Sequence, residues 1–268
     1  MKHKYSSKYL NKKQLNFKGE IMKILITGAS SGIGRDMAKE LDMSGNNLVL
    51  VARDEEKLKE VQKELKCEVS IIPMNLSNQD NCKKLHDMVR DVDILINNAG
   101  FGLFGDFTQT DLDKEIDMIN TNITALHILT KLYLKDMKEK NKGYILNVAS
   151  IAGFMPGPLM ATYYATKSYV VRLTQAIKEE LKKGKSNVKV GLLCPGPVAT
   201  NFLKAAGVKF DLITRSSKHV AKYTINKMLK NKFFIIPGWD VKFGIRCSKL
   251  VPDFLLAKIA YSVQERRR

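Results

Sequence analysis

A tyrosine followed four residues later by a lysine occurs three times in the chain: Tyr9 with Lys13, Tyr163 with Lys167, and Tyr223 with Lys227. On a helix this spacing sets an ammonium one turn from a phenol on the same face. An unperturbed phenol titrates near ~10, and a neighbouring positive charge favours its ionised form. Such a pair suits proton transfer at neutral pH. In a chain with 45 lysines and arginines the pattern alone means little, and context separates the copies. Tyr9 stands in a polar, basic N-terminal stretch. Tyr223 lies late, with no polar residues arranged before it. Tyr163 opens a helical stretch soon after an apolar run that ends at Ser150.

A second constellation is Thr27-Gly28-Ala29-Ser30-Ser31-Gly32-Ile33-Gly34. It follows the apolar run 23–26 and precedes 37–41, which has helical spacing. Strand, glycine turn and helix together hold a phosphate at a helix N-terminus. Gly28 suits the sharp turn, Gly32 a close backbone approach to a pyrophosphate, and Gly34 tight helix–strand packing. In such a fold the end of the second strand meets the adenosine ribose. An acid there would accept both ribose hydroxyls and favour NAD. Here Ala52 holds that position and Arg53 follows, whose guanidinium can pair with a 2′-phosphate. The expectation is NADP(H) in preference to NAD(H), with Asp54 as the N-cap of the next helix.

Seven apolar runs could form the strands that position these groups: 23–26, 47–52, 69–73, 93–96, 143–150, 188–194 and 233–237. Helical stretches at 55–66, 78–90, 111–140, 162–183 and 218–231 alternate with them. The long stretch 111–140 carries Ile116, Ile119, Ile123, Leu126 and Leu129 on a recurrent apolar face. This alternation predicts an α/β fold: a Rossmann-type, doubly wound three-layer sandwich around a mainly parallel seven-stranded sheet. Residues 1–21 are expected to be a basic tail, 22–236 a dinucleotide-binding catalytic domain, and 237–268 a helical extension. Met22 directly precedes the first strand and is a candidate native start.

The length of 268 residues suits one α/β domain with a full core. No apolar run reaches the ~18 residues that span a bilayer, and the N-terminus lacks a signal-type apolar core, which implies a cytoplasmic protein. Four dispersed cysteines without C-x-x-C pairing imply reduced thiols and no metal site. Net charge is +18, with a dense cluster only in 1–21, where six lysines face one glutamate. No helix-turn-helix, zinc finger or aromatic RNA-binding stripe accompanies it, so no nucleic-acid partner is expected.

Taken in order, the motifs resemble the classical short-chain dehydrogenase/reductase family. The match runs from Met22 to about Phe202. It rests on Thr27–Gly34, Asn97-Asn98-Ala99-Gly100, Asn122-Ile123-Thr124, Ser150 thirteen residues before Tyr163, Lys167, and Pro195-Gly196 followed by Thr200. The segments 156–160 and 193–197 are similar to the bacterial DltE-like subgroup. The resemblance implies a hydride transfer between cofactor and a carbonyl or secondary alcohol. Tyr163 would be the general acid/base. Lys167 would lower its pKa and hold the nicotinamide ribose, and Ser150 would donate a hydrogen bond to the carbonyl oxygen. Asn122 would fix a water that links Lys167 to solvent; Asn120 competes for that role but fits the pattern less well. Cofactor contacts carried over are Gly28, Ser30, Ser31, Gly32, Ile33, Gly34, Arg53, Asn75, Leu76, Asn98, Ala99, Gly100, Tyr163, Lys167, Pro195, Gly196, Val198 and Thr200. Asn75 stands where the family usually has an aspartate that accepts from the adenine amino group, and its amide oxygen can also accept. Ala125 replaces a frequent glycine. A catalytically silent NADP-sensing regulator of the same fold is the alternative, and the complete set of Asn122, Ser150, Tyr163 and Lys167 argues against it.

The residues expected to wall the substrate are apolar: Phe101, Leu103 and Phe104, then Phe154, Met155, Pro156, Leu159 and Met160, then Phe202, Leu203, Val208, Phe210, Leu212 and Ile213. They suit a lipophilic small molecule, such as a 3-oxoacyl derivative, a hydroxysteroid or a xenobiotic ketone. The apolar stretch 251–261 could cover the substrate cleft, pair with a second subunit, or rest on a membrane surface. Family members commonly pair through two long helices, here 111–140 and 162–183, so a homodimer or homotetramer is expected.

Overall fold

In a computed structural model of the chain, the described residues are 21–42, 45–199 and 215–266. Seven strands form one parallel sheet: β1 (Lys23–Thr27), β2 (Asn47–Ala52), β3 (Glu68–Pro73), β4 (Ile94–Asn97), β5 (Tyr144–Val148), β6 (Lys189–Leu193) and β9 (Phe234–Ile235). Their order is β3-β2-β1-β4-β5-β6-β9. Ile24 of β1 pairs with Leu48 on one side and Ile94 on the other. The winding therefore reverses between β1 and β4, and the loops leaving their carboxyl ends diverge into a crevice. Two short strands outside the expected set, β7 (Val198–Ala199) and β8 (Arg215–Ser216), pair beside the main sheet.

The unbroken apolar runs reflect cover on both faces. Successive side chains of a strand point oppositely, so the central strands feed two cores. Ile24, Ile26, Ile94 and Ile96 pack with Met37 of α1 (Gly32–Glu40) and with Val220 and Met228 of α7 (Ser217–Leu229). Leu25, Leu95 and Ile145 pack with Leu85 of α3 (Gln79–Met88), Leu129 and Tyr133 of α5 (Leu126–Glu139) and Ile177 of α6 (Ala161–Lys183). Side chains cap the starts of four α-helices among the described residues. Asp54 caps α2 (Glu55–Lys63), Asn78 caps α3, Asp111 caps α4 (Leu112–Ile119) and Ser216 caps α7.

The stretch 111–140 is not one α-helix. A π-helical turn, Asn120–Ala125, joins α4 to α5. Such a turn inserts an extra residue, about 100° of rotation, into the helical register. The stripe expected from 3.6-residue spacing is thereby broken. Leu126 and Leu129 are buried, whereas Ile116 is 48% exposed. The extension after β9 folds as α8 (Trp239–Ser248) and α9 (Asp253–Glu265). Among the described residues no helix is long and apolar enough to cross a membrane.

Candidate active site

The crevice at the carboxyl ends of β1 and β4 opens into a cavity of about 580 Å³. One end is built by the glycine turn. Gly28 has φ +65°, and a Cβ there would lie 2.8 Å from the Ala99 Cα. Gly34 faces inward to the turn itself: a Cβ would stand 2.3 Å from the Gly28 carbonyl oxygen and 2.5 Å from the Asn98 amide nitrogen. The close approach at Gly34 is thus of α1 to the turn and to Asn98. The Asn98 amide donates to the Thr27 and Gly28 carbonyls at 3.0 Å each, and the Thr27 hydroxyl accepts from the Asn98 and Ala99 N–H groups. Asn98 therefore ties the turn to the end of β4.

The N-terminus of α1 differs from those of α2, α3, α4 and α7. Its N-cap, Ser31, makes no side-chain capping bond; its first turn, like that of α7, holds no acid. Ser30, Ser31, Gly32 and Ile33 line the cavity at this end. Unpaired amides with the positive end of a helix dipole suit an anionic diphosphate. Arg53 and Lys57 also line this end. Arg53 is 65% exposed and only 3.6 Å from the Asp117 carboxylate at its nearest, while Lys57 pairs with Asp54. Asp54 accepts the Lys57 N–H as the expected cap. Lys57 was not anticipated from sequence, although its place one helical turn after Arg53 is a readable signal. The donor set fits the diphosphate of a nicotinamide dinucleotide.

Asn75 and Leu76 border the same end. The Asn75 amide oxygen already accepts from the Ser77 N–H and hydroxyl at 3.2 and 3.1 Å, a local turn that spacing alone does not reveal. Ala99, Gly100, Pro195, Gly196 and Val198 line the middle of the cavity. Gly100 leaves the space that a side chain would take, since a Cβ would stand 2.7 Å from the Asn122 amide oxygen and 3.4 Å from the Lys167 ammonium. Thr200 lies outside the described residues, as do Tyr9, Lys13 and the wall residues from 202 to 213.

At the other end stand Ser150, Tyr163 and Lys167, all buried. Ser150 closes β5 and caps the short turn Ile151–Phe154, accepting the Ala152 N–H at 3.2 Å. Its side chain is hydrogen-bonded to the Tyr163 hydroxyl. Lys167 donates to the Val148 carbonyl at 3.1 Å and lies 5.8 Å from the centre of the Tyr163 ring. Burial lowers the Lys167 ammonium to about 8. Burial also pushes the Tyr163 phenol above its ordinary range, against the lowering effect of the Ser150 hydrogen bond. Removal from water is the largest influence on the phenol here. Tyr223, by contrast, binds Lys242 on α8 and does not reach the cavity.

Asn122 sits in the π-helical turn and is itself enclosed. Its oxygen accepts the Phe101 N–H at 3.1 Å, and its amide donates to the Phe101 carbonyl at 2.9 Å and the Thr166 hydroxyl at 3.1 Å. Thr166 in turn donates to the Tyr163 carbonyl at 2.7 Å. The side chain braces the loop after β4 against the second turn of α6 and does not line the cavity.

Of the expected substrate wall, Phe101 and Met160 line the cavity. Leu103 and Phe104 pack behind Tyr163 and Met160. Phe154 turns away and lies against Phe234 at 6.5 Å. Tyr164 and Gln264, polar residues of the lining, were not anticipated. Gln264, on α9, donates to the Tyr164 hydroxyl at 2.9 Å. Nothing local in the sequence marks a glutamine so far along the chain.

The family model described as short chain dehydrogenase matches residues 22–209. The very-long-chain 3-oxoacyl-CoA reductase of Rattus norvegicus is 32% identical over 241 residues, covering 80% of this chain and 75% of its own. The NADP-dependent 3-hydroxy acid dehydrogenase of Schizosaccharomyces pombe is 37% identical over 190 residues, 67% of this chain and 72% of its own. A solved short-chain dehydrogenase from Sphingobium yanoikuyae in complex with NADPH superposes with a TM-score of 0.76 at 28% identity, covering 86% of this chain and 95% of that one. The chain belongs to the short-chain dehydrogenase family and is a nicotinamide-dependent oxidoreductase.

Proposed function

We propose that the protein interconverts a carbonyl and a secondary alcohol on a lipophilic substrate, with NADP(H) preferred over NAD(H). The observation that carries the reading is the convergence of Ser150, Tyr163 and Lys167 in the same cavity as the uncapped N-terminus of α1. The bound nicotinamide supplies or accepts the hydride. Tyr163 gives its proton to the carbonyl oxygen during reduction. Ser150 donates a hydrogen bond to the same oxygen as negative charge develops. Lys167, held by the Val148 carbonyl, keeps a positive charge beside the phenol as the proton leaves. Arg53 and Lys57 supply the cationic pair for a 2′-phosphate, and the name of the fission-yeast relative supports the same preference. Phe101 and Met160 provide an apolar wall, and the Tyr164–Gln264 pair one polar contact. Asn122 acts as a positioning residue, through Thr166, on Tyr163.

The test is a panel of lipophilic ketones and alcohols followed at the absorbance of reduced nicotinamide, with NADPH and NADH in parallel. Turnover with NADPH is expected, and Tyr163→Phe should reduce it by about 10²–10⁴-fold. A clear advantage for NADH would overturn the role of Arg53. Tight NADPH binding without turnover of any substrate would favour the silent regulator.

A further inference from the structure

We propose that the outer face of α8 and α9 docks on an anionic phospholipid surface. The two helices expose apolar side chains to an unusual degree. Trp239 is 82% exposed, Phe243 65%, Leu250 86%, Phe254 63% and Ile259 57%. In α9 only Leu256 and Gln264 are buried, although the helix is apolar around most of its circumference. A helix of that composition calls for cover on its outer side.

Helical spacing places charge on the same side. In α8 the exposed pair Trp239 and Phe243 lies opposite buried Val241, Ile245 and Ser248, and Lys242 and Arg246 flank that pair. In α9 Lys258 falls between Phe254 and Leu255 around the helix, and Arg266 follows Leu255 and Ile259 on theirs. Of the acids near these residues, Asp240 is paired with Arg215, and Glu265, which falls between Phe254 and Lys258, accepts from the Tyr261 hydroxyl at 3.5 Å. Aromatic and aliphatic tips with lysine and arginine beside them match the boundary between acyl chains and anionic headgroups. A second copy fits poorly, because an isologous contact would bring two sets of Lys242, Arg246 and Lys249 into one interface. The net charge of +18 favours an anionic surface further. Gln264 carries the same α9 into the cavity wall, so docking brings the cavity within one helix of the lipid. The docking is independent of the reaction.

The chain has one tryptophan, and Trp239 stands on the face in question, so its fluorescence reports on that face alone. The full chain would be mixed with vesicles of phosphatidylcholine or of phosphatidylcholine with phosphatidylglycerol, at low and high salt. In the free protein, acrylamide should quench Trp239 readily. Anionic vesicles should shift its emission to shorter wavelength, protect it from acrylamide and sediment with the protein. Binding should weaken at least about tenfold at high salt or without phosphatidylglycerol. The variant Phe243→Ser/Leu250→Ser/Phe254→Ser, checked for unchanged circular dichroism, should lose sedimentation by a similar factor. Sedimentation without a change at Trp239 would assign binding to another surface and overturn the proposal. So would a Trp239 protected in the free protein, or protected only by concentration-dependent self-association.

Discussion

The acid–base pair sets the pH response. Tyr163 is pushed upward by burial and stays protonated across the working range, whereas Lys167 is lowered to about 8 by burial. Its ammonium is present below that value and lost as pH rises through it. Carbonyl reduction should therefore be level at acid and neutral pH, and kcat/KM should fall above about 8. A pH profile of reduction checks this, and a level profile up to pH 10 would contradict it. The limb is expected from Lys167, because burial holds the phenol above its ordinary range.

At the scale of elements, the glycine turn, the π-helical turn and α9 converge on the cavity from distant parts of the chain. The turn tolerates no added carbon at Gly34, where a Cβ would meet the Gly28 carbonyl at 2.3 Å. Backbone cannot retreat as a flexible side chain can, so Gly34→Ala must shift α1 or open the turn. Dinucleotide affinity, measured by NADPH fluorescence titration, should fall at least about tenfold, the equivalent of about 1.4 kcal/mol. The far-ultraviolet circular dichroism should change little. Much of this level was legible beforehand. All seven main-sheet strands follow from apolar runs, and Asp54 was legible as a cap because its partner is three residues away. The π-helical turn was not, because an inserted residue leaves no mark in apolar spacing until its two flanking helices are packed. Ile116 consequently falls on an exposed face where uniform spacing places it in the core.

At the scale of the whole molecule, the cavity draws on the ends of β1, β2, β4 and β5, on α6, and on α9. A ligand bound there joins segments that unfolding would separate. NADPH at about 100 times its dissociation constant should stabilise the fold by about 2.7 kcal/mol. For a domain near this size that raises Tm by about 5–10 °C. Differential scanning fluorimetry checks this, and a smaller rise with NADH at equal concentration is expected from the Arg53 and Lys57 contacts. The sequence by itself determined the order of strands and helices, the glycine turn, the Tyr163–Lys167 pair and its serine. Each is written in neighbours or in a short period, which local sterics and burial preference enforce. Only the tertiary structure decided that the Asn122 side chain is spent on Phe101 and Thr166, that Gln264 reaches Tyr164 across 100 residues, and that burial raises the phenol. Those outcomes depend on what chain-distant segments exclude or supply around a group, and such sums exist only once the chain is packed.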